Sequence, residues 1–173
     1  QEFDVMKYDI EICKQLGYEG VVFGILNEEG DVDIERTDEL VKLASPMQVT
    51  FHRAFDRSSN PLKALEDIIQ CGCHRILSSG QFPSVIDGLP LLKQLILQAN
   101  KRIIIMPGSG LNSMNVIDIA TATGAFEFHT AARKKITRSE IVSPSSMNET
   151  LSFISVDQEE IKNINLALDS IFQ

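Results

Sequence analysis

The stretch Val49-Thr-Phe-His-Arg-Ala-Phe-Asp56 decides the fold. Val49 and Phe51 alternate with Thr50 and His52, the period of a strand, so the two pairs face opposite sides of a sheet. The run then breaks into Arg53 and Asp56. A short apolar strand that ends in polar groups is what a parallel α/β sheet presents where its site lies. Outward from it, Val21–Leu26, Arg75–Ser79, Arg102–Met106 and Glu127–Ala131 read the same way. With Gln48–Arg53 included, the starts fall 27, 27, 27 and 25 residues apart. The five runs are dissimilar in sequence, so the period is structural.

Helical patterns fill the intervals. Phe3, Met6, Ile10 and Cys13 recur at helical spacing before Gly17. Asp33–Leu43 reads as a second helix. Asn60 caps a third that starts at Pro61, shows Leu62, Leu65 and Ile69 on one face, and stops before Gly72. Leu89–Ala99 follows, then Met114–Thr123 with Asn112 or Ser113 as cap and Gly124 as terminator. The last helix spans about Gln158 to Phe172, with Asp157 and Glu160 as an approximate capping box and Ile161, Ile164, Leu168 and Ile171 as its stripe. Lys134–Thr150 is polar and patternless, expected to wrap the rim.

Strands alternating with helices imply parallel pairing. The polar strand ends favour a (β/α)8 barrel over an open doubly wound sheet, and no Gly-x-Gly-x-x-Gly follows the first strand. Eight such units need about 250 residues, and this chain has 173. Residues 1–173 are therefore expected to form a single domain. It corresponds to the last five βα units of a barrel that lacks about three N-terminal units. A complete five-stranded open sheet is the alternative.

Apolar residues make up 43% and charged residues 23%, which excludes a disordered chain. The net charge of −8 argues against nucleic acid and anionic membranes as partners. No apolar run is long enough to span a bilayer. Three cysteines exclude a disulfide scaffold and suit a cytoplasmic protein with reduced thiols.

His52 is a candidate acid–base group, pointing into the barrel near a strand end. Arg53 and Asp56 at the rim are placed to hold an anion and orient His52. Phe126-Glu-Phe-His129 repeats the alternation, with Glu127 and His129 pointing inward. Met106-Pro-Gly-Ser-Gly110 offers bare backbone at Gly108 and Gly110 for an anion, as Ser79-Gly80 does, and Arg133 lies just beyond the last strand. Buried histidines bonded to carbonyls and solvated rim charges are the plainer readings of the same residues. Cys71, Cys73 and His74 form a soft-metal pattern, but at the opposite end of the strands.

These motifs together, Val49–Asp56, Arg75-Ile-Leu-Ser-Ser-Gly80, Ile105–Gly110 and Glu127-Phe-His129, with Gly20-Val-Val-Phe-Gly24, resemble the copper homeostasis protein CutC family along essentially the whole chain. The resemblance implies a (β/α)8-type barrel, a cytoplasmic homo-oligomer, a role in copper homeostasis, and copper as the bound ion. Ser109 stands where that family usually has a third glycine, and the Cys71/Cys73 pair is outside its pattern. The family's proposed copper ligands fall in strands upstream of this sequence. Three functions follow as expectations: a copper-handling protein; an enzyme of lyase, aldolase or isomerase type acting on a small anionic or phosphorylated metabolite; and a non-catalytic partner-binding variant. No lysine sits at a strand end, which disfavours Schiff-base chemistry.

Overall fold

The computed structural model describes residues 1–137 and 152–172. Its elements follow the expected alternation: α1 (Glu2–Gln15), β1 (Gly20–Phe23), α2 (Ile34–Ala44), β2 (Gln48–Phe51), a 3-10 turn (Arg53–Arg57), α3 (Pro61–Gln70), β3 (Arg75–Ser78), α4 (Leu89–Ala99), β4 (Ile104–Pro107) and α5 (Val116–Thr123). Two further strands, β5 (Arg133–Thr137) and β6 (Ser152–Val156), precede α6 (Gln158–Asp169). The chain divides into two compact units. The first holds residues 1–111 and 118–129; the second holds 112–117 and the described residues from Thr130 onward.

In the first unit the strands pair in parallel in the order β1-β2-β3-β4. The register sets Val22, Thr50, Arg75 and Ile104 in one row across the sheet, and Leu77 beside Met106. The other face is the core: Phe23, Val49, Phe51, Ile76 and Ile105 are buried there. Leu40, Leu65, Ile68, Leu92 and Leu95 supply the helices' buried positions. The face with Val22, Thr50 and Leu77 is only half covered, and Val22 is 63% exposed. A doubly wound sheet buries both faces under helices. One-sided coverage is the geometry of a barrel wall.

Local signals set the helix ends as read. Asn60 Oδ1 accepts from the Lys63 N–H at 3.1 Å, and Asp33 does the same for Arg36 at 3.0 Å; such caps contribute about 1 kcal/mol each. The buried face of α3 is Ala64, Leu65 and Ile68, one step round from the expected Leu62–Leu65–Ile69 stripe.

The expected fifth strand, Glu127–Ala131, is reduced to a single parallel bridge between Gly108 and His129, with the His129 N–H donating to Pro107 O at 2.9 Å. Beyond it Ala132 takes a positive φ of 39° and the chain turns into β5.

In the second unit β5 and β6 form an antiparallel pair, Arg133 opposite Val156 through Thr137 opposite Ser152. That pair replaces part of the expected patternless segment Lys134–Thr150, whose residues from 138 onward lie outside the described ones. Asp157 caps α6 by accepting from the Glu159 N–H at 3.1 Å. Glu160 does not close a capping box. Its carboxylate accepts from the Ser113 N–H at 2.6 Å and the Ser113 hydroxyl at 2.8 Å. Of the expected stripe, Ile164 is buried, whereas Ile161 and Ile171 are exposed.

Candidate functional site

The site is built by the turn that ends β2. The His52 backbone is extended, and its Nδ1 accepts from the Ala54 N–H at 3.2 Å, starting the 3-10 turn. Accepting at Nδ1 leaves the neutral ring's proton on Nε2. Room for the imidazole comes from Gly24 on β1's continuation, where a Cβ would stand 2.7 Å from Nδ1. The turn then carries Arg53, Asp56 and Arg57 over the ends of β3 and β4.

Asp56 is the anchor. Its side chain is only 7% exposed. Oδ1 accepts from the Ser78 hydroxyl at 2.6 Å and from the N–H groups of Ser79 and Gln81 at 3.1 Å each. Oδ2 accepts from the Ser79 hydroxyl at 3.1 Å and from Arg53 Nε at 2.7 Å. Burial alone would raise this carboxyl's pKa. The Ser78 hydroxyl, Arg53 and the backbone N–H groups outweigh burial and hold it below the usual carboxylate range.

Arg53 ties three strand ends together. Besides Asp56, it donates from Nη2 to the Ser79 hydroxyl at 2.5 Å and to Phe82 O at 3.2 Å, and from Nη1 to the Ser109 hydroxyl at 3.1 Å. A guanidinium has five N–H groups; these contacts use four and leave one on Nη1. The loop 80–88 is thereby held at its tip, where the Ser109 hydroxyl also donates to Pro83 O at 2.8 Å. At its neck Gly80 has φ +71°, and a Cβ on Gly88 would stand 1.9 Å from Ser79 O.

Beside this network lies a cleft of about 380 Å³ lined by Arg53, Asp56, Arg57, Gln81, Phe82 and Pro83. Arg57 is exposed and has no hydrogen bond or ion pair among the described residues. Two guanidinium groups against one carboxylate leave the cleft one positive charge, on a chain whose net charge is −8.

The expected site residues are therefore distributed unevenly. Arg53, Asp56 and Ser79 converge, but Asp56 serves the loop after β3 and makes no hydrogen bond to His52. The backbone is less bare than expected: the Gly80 N–H donates to the Ser78 hydroxyl at 2.9 Å and the Gly108 N–H to Ser78 O at 3.0 Å. Gly110 has a positive φ of 81° and partners of its own. Arg133 is exposed on β5 in the second unit. No hydrogen bond joins His52, Glu127 and His129. His129 is exposed, and the Glu127 carboxylate is held by Arg75, whose Nη2 donates to it at 3.2 Å and whose Nε makes a closer contact. Arg75 also donates to Gln48 Oε1.

Arg57, Arg75 and Phe82 were not singled out in the sequence. Arg53 and Arg57 are the first and last residues of the same 3-10 turn. Arg75 shares the open face with Thr50 by strand alternation, so a carboxylate partner there was foreseeable.

The Cys71–His74 segment is not arranged as a soft-metal site. Burial pushes the Cys71 thiol up to about 11 and the Cys73 thiol up to about 12, which opposes the thiolate that a soft metal takes. Cys71 Sγ lies 3.7 Å from Ile34 O, and His74 Nδ1 already accepts from the Val49 N–H at 3.1 Å. Among the described residues no group of three or more His, Cys, Asp or Glu is placed to hold a metal ion.

Comparison with known proteins gives a consistent picture. The model of the CutC family matches residues 1–134. A protein of Chromobacterium violaceum named family protein CutC is 50% identical over 135 residues, 78% of this chain and 55% of its own length. The mouse copper homeostasis protein cutC homolog is 48% identical over 133 residues, 77% of this chain and 49% of its own. The chain thus spans about half the length of these relatives. The crystal structure of CutC from Streptococcus agalactiae superposes with a TM-score of 0.71 at 30% identity, covering 74% of this chain and 63% of that one. A structure described as native KDPGal shares the fold alone, with a TM-score of 0.58 at 12% identity over 95% of this chain and 65% of its own.

Proposed function

The chain belongs to the CutC family, with an α/β fold of the TIM-barrel type, and on that premise we propose that it serves copper homeostasis by binding a small organic anion at its strand ends. The observation that supports this reading is the cleft beside Asp56. Its carboxylate is already satisfied by Arg53, two hydroxyls and two backbone N–H groups, whereas Arg57 faces the same cleft with no partner. An arginine fork without an internal acceptor, next to a pre-organised network, favours an oxyanion. His52 precedes Arg53 in the chain, half-buried, with no hydrogen bond at its Nε2 among the described residues, and it is the group we propose for proton transfer.

Titration with sodium acetate and inorganic phosphate against sodium chloride of equal ionic strength tests the reading. Binding to the native state raises the thermal midpoint, by about 2.7 kcal/mol of stabilisation at 100 times Kd. Arg57→Ala is expected to fold normally and to lose the shift. No anion-specific shift, or the same shift in Arg57→Ala, overturns it. A parallel Cu(I) titration of the chain and its Cys71→Ser/Cys73→Ser variant checks the expectation of copper binding. Stoichiometric Cu(I) binding that this variant loses would return copper to the Cys71 segment.

A further inference from the structure

The cleft's walls carry information about the rest of the ligand. Phe82 lines it and is 49% exposed, with Pro83 exposed beside it. A single exposed aromatic on a protein surface needs no explanation. This one differs because its backbone is clamped. The Phe82 carbonyl accepts from Arg53 Nη2 at 3.2 Å and shares the one proton of the Ser79 hydroxyl with Asp56 Oδ2; the Pro83 carbonyl accepts from the Ser109 hydroxyl, and the Val85 N–H donates to Ser109 O at 2.9 Å. Four contacts fix a loop tip whose neck is closed by Gly80 and Gly88. The backbone that carries the ring is therefore set at the cleft before any ligand arrives, which removes part of the ordering cost of binding.

The head-group end is equally restrictive. Arg53 and Asp56 cancel, leaving the single charge of Arg57 and one N–H of Arg53 Nη1. One positive charge and a planar fork match a carboxylate, which is a planar monoanion. They match a phosphate monoester, with about −1.5 to −2 charges at neutral pH, less well. From these two ends we infer that the cleft selects a carboxylate carrying a flat, unsaturated apolar body, the carboxylate on Arg57 and the body against Phe82 and Pro83. This deepens the anion-binding reading above and rests on it.

The experiment compares benzoate with acetate, and phenyl phosphate with inorganic phosphate, by calorimetric titration of the whole chain, its Arg57→Ala variant, and the Phe82→Ala and Phe82→Tyr variants. The inference expects benzoate to bind about tenfold more tightly than acetate, the worth of one aromatic contact with its buried area. Phe82→Ala should reduce that preference to within about twofold, and Phe82→Tyr should keep it. Benzoate should also bind more tightly than phenyl phosphate. Should Phe82→Ala alter the far-ultraviolet circular dichroism, Phe82→Leu, which keeps apolar bulk without a ring face, takes its place. If acetate and benzoate both bind through Arg57 but with equal affinity, or the preference survives loss of the ring, the inference fails while anion binding stands. A preference for phenyl phosphate over benzoate overturns the carboxylate assignment. If no anion binds, or binding ignores Arg57, both fall together.

Discussion

Asp56→Asn is the sharpest test of how the rim is held. The substitution keeps shape and one acceptor oxygen. With that oxygen at the Oδ1 position, the Ser78, Ser79 and Gln81 donors stay bonded, but the new NH2 faces Arg53 Nε across 2.7 Å and the Ser79 hydroxyl across 3.1 Å. A hydrogen bond between charged partners contributes about 1.5–3 kcal/mol. Arg53 is 40% exposed, so solvent screening puts this pair at the low end. Weakening the three remaining bonds from ionic to neutral adds about 0.5 kcal/mol each. The sum is about 3 kcal/mol, or about 6–12 °C in a domain of this size. Urea and thermal unfolding followed by circular dichroism measure it. The pH dependence gives a second check. Because the folded carboxyl titrates below its ordinary value, its contribution is complete above about pH 4 and is lost as pH falls through the folded value. The gap between wild type and Asp56→Asn should therefore shrink below pH about 4. A loss under about 1 kcal/mol, or a gap that is flat with pH, would refute the view that Asp56 organises the rim. Glu66→Gln is the control. Its pair with Arg102 is exposed on both sides, and although Arg102 holds the Glu66 carboxyl down to about 2, solvent leaves little stability to lose.

Three further outcomes are expected. Thr37 is fully buried in α2 with no hydrogen-bond partner for its hydroxyl among the described residues, so Thr37→Val should raise stability by about 1 kcal/mol in urea unfolding; destabilisation would mean the hydroxyl is satisfied. Gly88→Ala places its Cβ against the Ser79 backbone at the loop neck and should cost about 3 kcal/mol, with faster proteolysis within 80–88; a neutral result would show that the neck relaxes. Burial keeps Cys71 and Cys73 protonated to about 11 and about 12 while the unfolded thiols ionise near 9. Their contribution is complete below about pH 9 and declines above it, so a Cys71→Ala/Cys73→Ala variant should lose less stability between pH 8 and 11 than the parent.

The parts of the fold fixed by neighbours in sequence were legible. Leu89–Ala99 carries Pro90 in its first turn and Asn100 at its end, and α4 has those bounds. Asn60-Pro61 started α3 for the same reason. The parallel register was not legible, because nothing local specifies that Val22 lies beside Thr50. The pair β5–β6 escaped because Arg-Lys-Lys-Ile-Thr has no apolar alternation, and β6 presents mostly exposed positions. At the site, the residue types at 52–56 were recognisable, but their partners were not. Whether Asp56 meets His52 or Ser78 depends on which strand end the 3-10 turn overlies. The inward pair Glu127 and His129 failed as a unit because a strand that pairs at one bridge does not hold the alternation that oriented them.

The Asp56 carboxylate occupies a cradle of converging donors, the arrangement by which proteins hold free anions. Two hydroxyls, two backbone N–H groups and a guanidinium surround it, a donor set of the kind that captures phosphate. The protein fills that set with a tethered occupant that cannot leave while the 3-10 turn is folded. Buffer anions and ionic strength should therefore leave the loop 80–88 in place. Arg57, the next residue in the chain, faces solvent and is screened by salt. One rim thus carries a charge fixed by the fold beside one that salt can screen.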